Sequence, residues 1–268
     1  MDQFNAFVLQ NGAQIRLSAF FGILVTMVVW EFLAPRLALS LPRIRRWPAN
    51  LGIVVLNTVL VRMLFPIMPV GAAMLAIENG WGLFNTMSVP VWLSVVASLL
   101  ILDFAIYGQH VVLHKVPWLW RLHRMHHADT GFDVTTGARF HPIEILFSIV
   151  IKLAVVVAIG VPPVTVVIFE VLLNGTSMFN HGNVSLPLGL DRALRLIIVT
   201  PDMHRVHHSS VRAETDSNFG FNLSIWDRFC GTYIAQPEAG HEGMEIGLQL
   251  FRNPVEQRLD KMLAQPFR

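Results

Sequence analysis

The 268-residue sequence is poor in charge, with Asp, Glu, Lys and Arg making up only 14% of it, where a soluble globular domain averages nearer a quarter. It has a single cysteine, Cys230, which excludes an internal disulfide framework and any paired-cysteine zinc or redox motif. No block of Lys and Arg stands out and the net charge is +2, so nucleic acid is not an expected partner. A Gly-x-Gly-x-x-Gly dinucleotide fingerprint and a haem-attachment motif are both missing. The chain opens on Met1-Asp2 without a basic stretch, so a cleaved signal peptide is not expected. No internal repeat or low-complexity tract is evident.

What the sequence does have is apolar surface: 53% of its residues are hydrophobic and the mean hydropathy is +0.53, the balance of an integral membrane protein. Long apolar runs cover Leu17 to Leu33, Leu51 to Val70 (interrupted by Arg62), and Val91 to Leu113. A further run, Ile143 to Phe179, is too long for one crossing and contains Pro162-Pro163 near its middle. About 20 helical residues cross a bilayer core, and Pro-Pro ends a helix. The expected fold is all-α: three transmembrane helices plus a helical hairpin, with the polar chain from about Asn180 forming a cap of short helices and loops.

Basic residues orient that fold. They follow the first run (Arg36, Arg43, Arg45, Arg46), the third (Lys115, Arg121, Arg124, Arg139) and the hairpin (Arg192 through Arg268), whereas segments 1–14, 71–90 and the Pro-Pro turn have none. By the positive-inside rule the cap and the C-terminus are cytoplasmic and the N-terminus lies opposite. Trp47, Trp81, Trp92, Trp118 and Trp120 fall near span ends, where indole rings favour the interface.

The eleven histidines carry the chemistry. His110-x3-His114 ends the third span, His123-x2-His126-His127 follows, His181 closes the hairpin, and His204-x2-His207-His208 lies in the cap. At this histidine frequency an HxxHH pattern is expected by chance about 0.02 times per chain, so two copies are a signal. On a helix, positions i, i+3 and i+4 share a face, so each HxxHH aims three imidazoles at one point. Neutral imidazole suits iron, zinc, copper and nickel. Nine histidines exceed what one ion can use, but they give two ions four or five nitrogens each with room for water or oxygen. The span ends put all nine at the cytoplasmic side. His141 is either a further ligand or an outer donor, and His241 reads as a surface residue. Asp103 lies seven and eleven residues before His110 and His114, on the ligand face of its helix. An acid there either orients a histidine or lines a cavity below the metals. Glu170 bears the same relation to His181 and reads equally as a packing residue.

At these residues the sequence resembles the fatty acid hydroxylase superfamily, also called the sterol desaturase family. The matching pieces run from about Asp103 to Tyr233. They are the HxxxH and first HxxHH, Arg139-Phe-His-Pro-Ile-Glu144, Thr200-Pro-Asp-Met-His204 with its HxxHH, Asp216-x-Asn218-Phe-Gly220, and Trp226-Asp227. The resemblance implies a di-metal centre, taken to be di-iron, held by His110, His114, His123, His126, His127, His204, His207 and His208, with His181 as the isolated ligand. It also implies an O2-dependent oxidoreductase that hydroxylates or desaturates a lipid of sterol, fatty acyl, carotenoid or ether-lipid type, with zinc able to occupy the same site on purification. The departures are Cys230, where many relatives have Phe, and His141, which matches the sterol-type branch but is not shared by all branches.

Because no cofactor fingerprint is present, electrons must come from a separate donor protein or a diffusible reductant. The organisation expected is N-terminal membrane helices and loops over 1–90, a hydroxylase-like domain over 91–235 and a cytoplasmic tail over 236–268. A membrane zinc hydrolase or a metal transporter would use the same ligand types, although a transporter places them at mid-membrane depth.

Overall fold

The computed structural model describes residues 2–268. Its helices are α1 (Asp2–Gln10), α2 (Gly12–Leu33), α3 (Arg43–Leu64), α4 (Pro69–Glu78), α5 (Leu83–Thr86), α6 (Val91–Lys115), α7 (Pro117–His127), α8 (Pro142–Ile159) and α9 (Pro163–Asn180). Short helices follow: α10 (Leu188–Leu194), α11 (Pro201–His207), α12 (Arg212–Thr215), α13 (Ile225–Phe229), α14 (Gly240–Gly243) and α15 (Leu259–Ala264). Among the described residues, strand pairing is confined to isolated bridges such as Pro35 with Val184 and Ile198 with Leu223.

Among the described residues, five stretches are long and apolar enough to cross a membrane: α2, the run from α3 through α5, α6, α8 and α9. Their outer faces expose Phe21, Val25, Val55, Val59, Leu100 and Phe104, a surface that suits acyl chains and would be a liability in water. The protein is therefore an integral membrane protein.

The hairpin forms where Pro162-Pro163 placed it. Helix α8 stops at Gly160, which takes a left-handed conformation (φ 69°, ψ 52°), and α9 restarts with Pro163 in its first turn, where a missing N–H costs nothing.

The second apolar run differs from expectation. Helix α3 begins at Arg43 and ends at Leu64, because Phe65 precedes Pro66 and is forced into an extended conformation (φ −116°, ψ 95°). The chain resumes at Pro69 as α4, so segment 71–90 holds helix rather than a plain loop. Ala72, Ala73 and Ala76 are buried on α4, which packs against α8 and α9; small residues of this kind let helix backbones approach closely. Gly82 (φ +94°) lies directly on the Gly160 backbone, with no space for a Cβ. Segment 79–90 and the hairpin turn therefore meet at the end of the molecule opposite the histidines.

Helix α2 runs parallel to α9, with Gly12 beside Val167 and Ile23 beside Gly175. Glu170, in the middle of α9, is ion-paired to Arg16 of α2 at 3.3 Å and to Lys152 of α8 at 3.7 Å. It joins three helices and lies apart from the histidines.

Candidate metal centre

Helix breaks turn the histidine-bearing segments toward each other. Helix α6 carries His110 and His114 one turn apart at its C-terminal end. Val116 is extended (φ −94°, ψ 115°) before Pro117, and this bend folds α7 back with His123, His126 and His127. His181 is the C-terminal cap of α9. Helix α11 starts on a Thr200 side chain that caps the Met203 N–H, and it brings in His204, His207 and His208. All nine imidazoles are at most 2% exposed. They sort into two groups whose donor nitrogens lie within 4.8 Å of one another: His110, His114, His123, His127 and His207, and His126, His181, His204 and His208.

Hydrogen bonds behind the rings decide which nitrogen is bare. The Nδ1 of His110 faces the Phe219 carbonyl at 2.7 Å, that of His207 the Ser217 carbonyl at 2.7 Å, and that of His181 the Ser177 carbonyl at 2.8 Å. The Nδ1 of His123 faces Glu144 Oε1 at 2.8 Å, and that of His114 faces Asp216 Oδ1 at 3.2 Å. Carbonyls and carboxylates only accept, so each of these Nδ1 atoms carries the proton and donates it. In the neutral ring, the form that binds a metal, each corresponding Nε2 is then a bare lone pair.

Those lone pairs face one another. The Nε2 atoms of His110 and His123 are 3.1 Å apart, and those of His181 and His126 are 3.2 Å apart. Those of His181 and His204 are 3.1 Å apart. His181 cannot donate to either neighbour, and His110 and His123 cannot donate to each other. Ligand nitrogens about 2.0–2.1 Å from one ion sit about 3 Å apart, which matches this spacing. His207 Nε2 and both nitrogens of His208 are buried with no hydrogen-bond partner, as ligand atoms are before an ion satisfies them. The donor set fits two imidazole-bound metal ions. Burial, reinforced by the surrounding imidazoles, holds His126, His127, His204, His207 and His208 well below the usual imidazole value. His181 is held at about 3, again by burial. Those six rings are held in the neutral form that ligates a metal.

A buried scaffold holds the rings. The Asp227 carboxylate accepts from the Phe219 and Gly220 amides at 2.7 and 2.8 Å, and so fixes the loop that offers its carbonyl to His110. A Cβ at Gly220 would sit 2.8 Å from Asp227 Oδ2, and Asn218 takes a left-handed φ of 49° there. These contacts explain the Asn-Phe-Gly and Trp-Asp motifs. Arg46 of α3 pairs with Asp129 at 2.9 Å and with Asp133. Burial alone would raise Asp129, but Arg46 and Arg139 pull its carboxyl well below the usual range. Glu31 accepts from Val134 N and Asn183 N at 2.7 and 2.8 Å, so α2 clamps the loops that follow His127 and His181.

The sequence singled out two residues that lie elsewhere. His141 caps α8: its Nδ1 accepts from the Ile143 amide at 3.2 Å and its Nε2 lies 3.3 Å from the Leu263 carbonyl. It belongs to neither histidine group, because the Pro142 turn aims it at the C-terminal segment. Asp103 accepts from Trp226 Nε1 at 2.8 Å and from Leu223 N at 3.2 Å, which pins the cap to α6; it has no hydrogen bond to a histidine. His241, expected on the surface, is buried beside Asp202 at 3.7 Å. Glu144 and Asp216 were the partners missed. Both letters stood in the motifs, but their contacts span 21 and 102 residues of chain.

Comparison with known proteins follows this geometry. The family model described as fatty acid hydroxylase matches residues 95–232, just over half of the chain. The chain is 33% identical over 178 residues to an ornithine lipid hydroxylase of Rhizobium tropici, covering 66% of this chain and 51% of that protein. It is 30% identical over 165 residues to the alkylglycerol monooxygenase of Homo sapiens, covering 60% and 35%. It is 26% identical over 147 residues to the cholesterol 25-hydroxylase of Rattus norvegicus, covering 54% and 48%. The chain thus spans about half or less of these relatives' lengths. No solved structure matches.

Proposed function

The chain belongs to the fatty acid hydroxylase family, and on that premise we propose that it is a membrane-bound oxygenase that hydroxylates or desaturates an amphiphilic lipid with O2 and externally supplied electrons. The observation that carries this reading is the pair of bare-nitrogen groups, five and four histidines strong, set at one end of an apolar helix bundle. His110, His114, His123, His127 and His207 would hold one ion, and His126, His181, His204 and His208 the other. Iron is the ion for oxygen chemistry, and zinc is accepted by the same ligands. When bound, the metal pair supplies the activation of O2 that attack on an unactivated C–H bond requires.

The chain's own residues do the rest. The carbonyls of Phe219, Ser217 and Ser177, together with Glu144 and Asp216, hold protons on the outer nitrogens and aim the rings. Phe140 stacks on His126 at 4.5 Å between centroids, and Phe221 lies 5.1 Å from His110. Both rings also join the apolar cluster of Leu102, Ile106, Val166 and Phe169 within the bundle. That cluster keeps water from the bundle side of the histidines, the side that faces the bilayer interior. The arginine counts on the connecting segments support an orientation with the cap, the histidines and the C-terminus in the cytoplasm and the N-terminus opposite. The histidines cluster at one end of the bundle rather than along a path through it, which favours the oxygenase over a transporter.

Ornithine lipid, alkylglycerol and cholesterol, after which these relatives are named, are all amphiphiles. Mass spectrometry of cellular lipids with the wild-type protein and with His126→Ala or His207→Ala tests the reading. A lipid heavier by one oxygen, or lighter by two hydrogens, is expected only with the wild type. Identical lipid profiles in the presence of iron-loaded protein would sink it.

A further inference from the structure

Electrons must cross from the surface to imidazoles that are at most 2% exposed, and the packing around the ligands offers them one aromatic entry. Among the rings that touch the ligands, Phe132, Phe219 and Phe221 are buried, and Phe140 belongs to the apolar cluster in the bundle. Trp120 is different. Its indole packs on His114 at 4.8 Å and on His127 at 5.3 Å between centroids, and the Arg212 guanidinium lies over the same indole, 4.6 Å from the ring centroid.

The same corner is positively charged. Arg212 and Lys115 have side chains 54% and 56% exposed, and both reach Asp216, at 3.0 and 3.3 Å. Asp216 in turn holds His114 Nδ1 at 3.2 Å, and Arg212 also donates to the His114 carbonyl at 3.1 Å. Two cations outnumber one acid at a spot joined to a ligand both by an aromatic contact and by hydrogen bonds.

We infer that Trp120 is the electron entry port and that Arg212 and Lys115 dock an acidic one-electron carrier protein over it. The inference rests on the oxygenase reading above. Each reduced carrier gives up one electron at Trp120 and leaves oxidised. Two such visits, with two solvent protons, complete the balance in which one atom of O2 enters the C–H bond as hydroxyl and the other leaves as water. Opposite charge brings the carrier in and orients it, a contribution that falls with added salt.

The test uses purified, iron-loaded, oxidised full-length protein, mixed anaerobically with reduced plant-type [2Fe–2S] ferredoxin as the acidic probe. Iron content and reduction by dithionite serve as controls. Lys115→Glu should slow the bimolecular phase at least about tenfold and flatten its salt dependence, with iron content and dithionite reduction unchanged. Trp120→Leu should leave docking intact and lower the limiting rate at saturating ferredoxin at least tenfold, with Trp120→Phe in between. Wild-type rates in both Lys115→Glu and Trp120→Leu would overturn the inference. So would a rate that responds to added anionic lipid vesicles rather than to the charge at Lys115, since the cations would then serve the bilayer. Failure of the oxygenase reading shows separately, as wild-type protein that dithionite reduces but that transforms no lipid in O2.

Discussion

Five imidazoles of the centre, those of His110, His114, His123, His181 and His207, have their protons placed by what lies behind them, so small changes in that outer layer should be felt at the metal. Glu144 is the clearest case, because its carboxylate fixes the His123 tautomer at 2.8 Å. Glu144→Ala should weaken metal binding about 10- to 100-fold, the usual scale for such partners, and Glu144→Gln, which keeps an acceptor oxygen, should lose less. Metal content after dialysis against graded chelator checks this. Asp103 invites the opposite expectation. Its position on the ligand face suggested a role at the metal, but its hydrogen bonds go to Trp226 and Leu223. Asp103→Ala should therefore cost about 1–3 kcal/mol of stability, the price of stranding buried donors, and leave metal content at the wild-type level. Thermal unfolding in detergent beside elemental analysis separates the two outcomes, and metal loss without destabilisation would return Asp103 to the centre. The contrast shows what a sequence can carry at this scale. HxxHH is legible because all its members lie on one short helix, whereas the partner of Glu144 or Asp103 is a distant segment and no local pattern encodes it.

Among the helices, proline did most of the legible punctuation. Pro162-Pro163 marked the hairpin in the sequence, while the turn at Pro117 that folds α7 back onto α6 emerged only in the structure. The start of α3 was obscured because Arg43, Arg45 and Arg46 look like a polar connecting segment. The helix runs through them since Arg46 is fully buried against Asp129 and Asp133, which lie more than eighty residues away. Arg46→Met should take the nearest cation from two buried carboxylates, Asp129 and Asp133, and cost about 3–5 kcal/mol, a loss that thermal unfolding in detergent would register. Helix α4 was hidden for a related reason: an alanine-rich ten-residue stretch has little length or periodicity to announce itself until α8 and α9 supply its partner. The seam between Gly82 and Gly160 tests that packing. Gly82→Ala should destabilise the protein by at least about 1 kcal/mol, since an L-residue resists its positive φ and the Gly160 backbone occupies the space. An unfolding midpoint equal to wild type would mean that segment 79–90 does not rest on the hairpin turn.

For the molecule as a whole, the expected orientation has a direct check. A reporter fused after Arg268 should behave as cytoplasmic and one inserted between Glu78 and Gly80 as external; matching signals from the two would overturn the arrangement. The purified protein should hold about two ions per chain, and elemental analysis giving one would remove the paired centre. How those ions load follows from the way the two histidine groups interlock. His126 and His127 are neighbours in sequence yet belong to different groups, and so are His207 and His208. Neither group can assemble from one HxxHH segment alone. At about 5–20 residues per second of synthesis, the ribosome needs roughly 4 to 16 s to pass from the first triplet to the second, and through that interval no complete site exists to capture a stray ion. Once the hairpin is in place, an ion drawing one group together fixes the backbone of both triplets and so pre-assembles the other. The second ion is then bound by a protein already ordered by the first. Metal titration should accordingly be cooperative, with apo and doubly loaded protein dominating at intermediate ratios and the singly loaded form scarce.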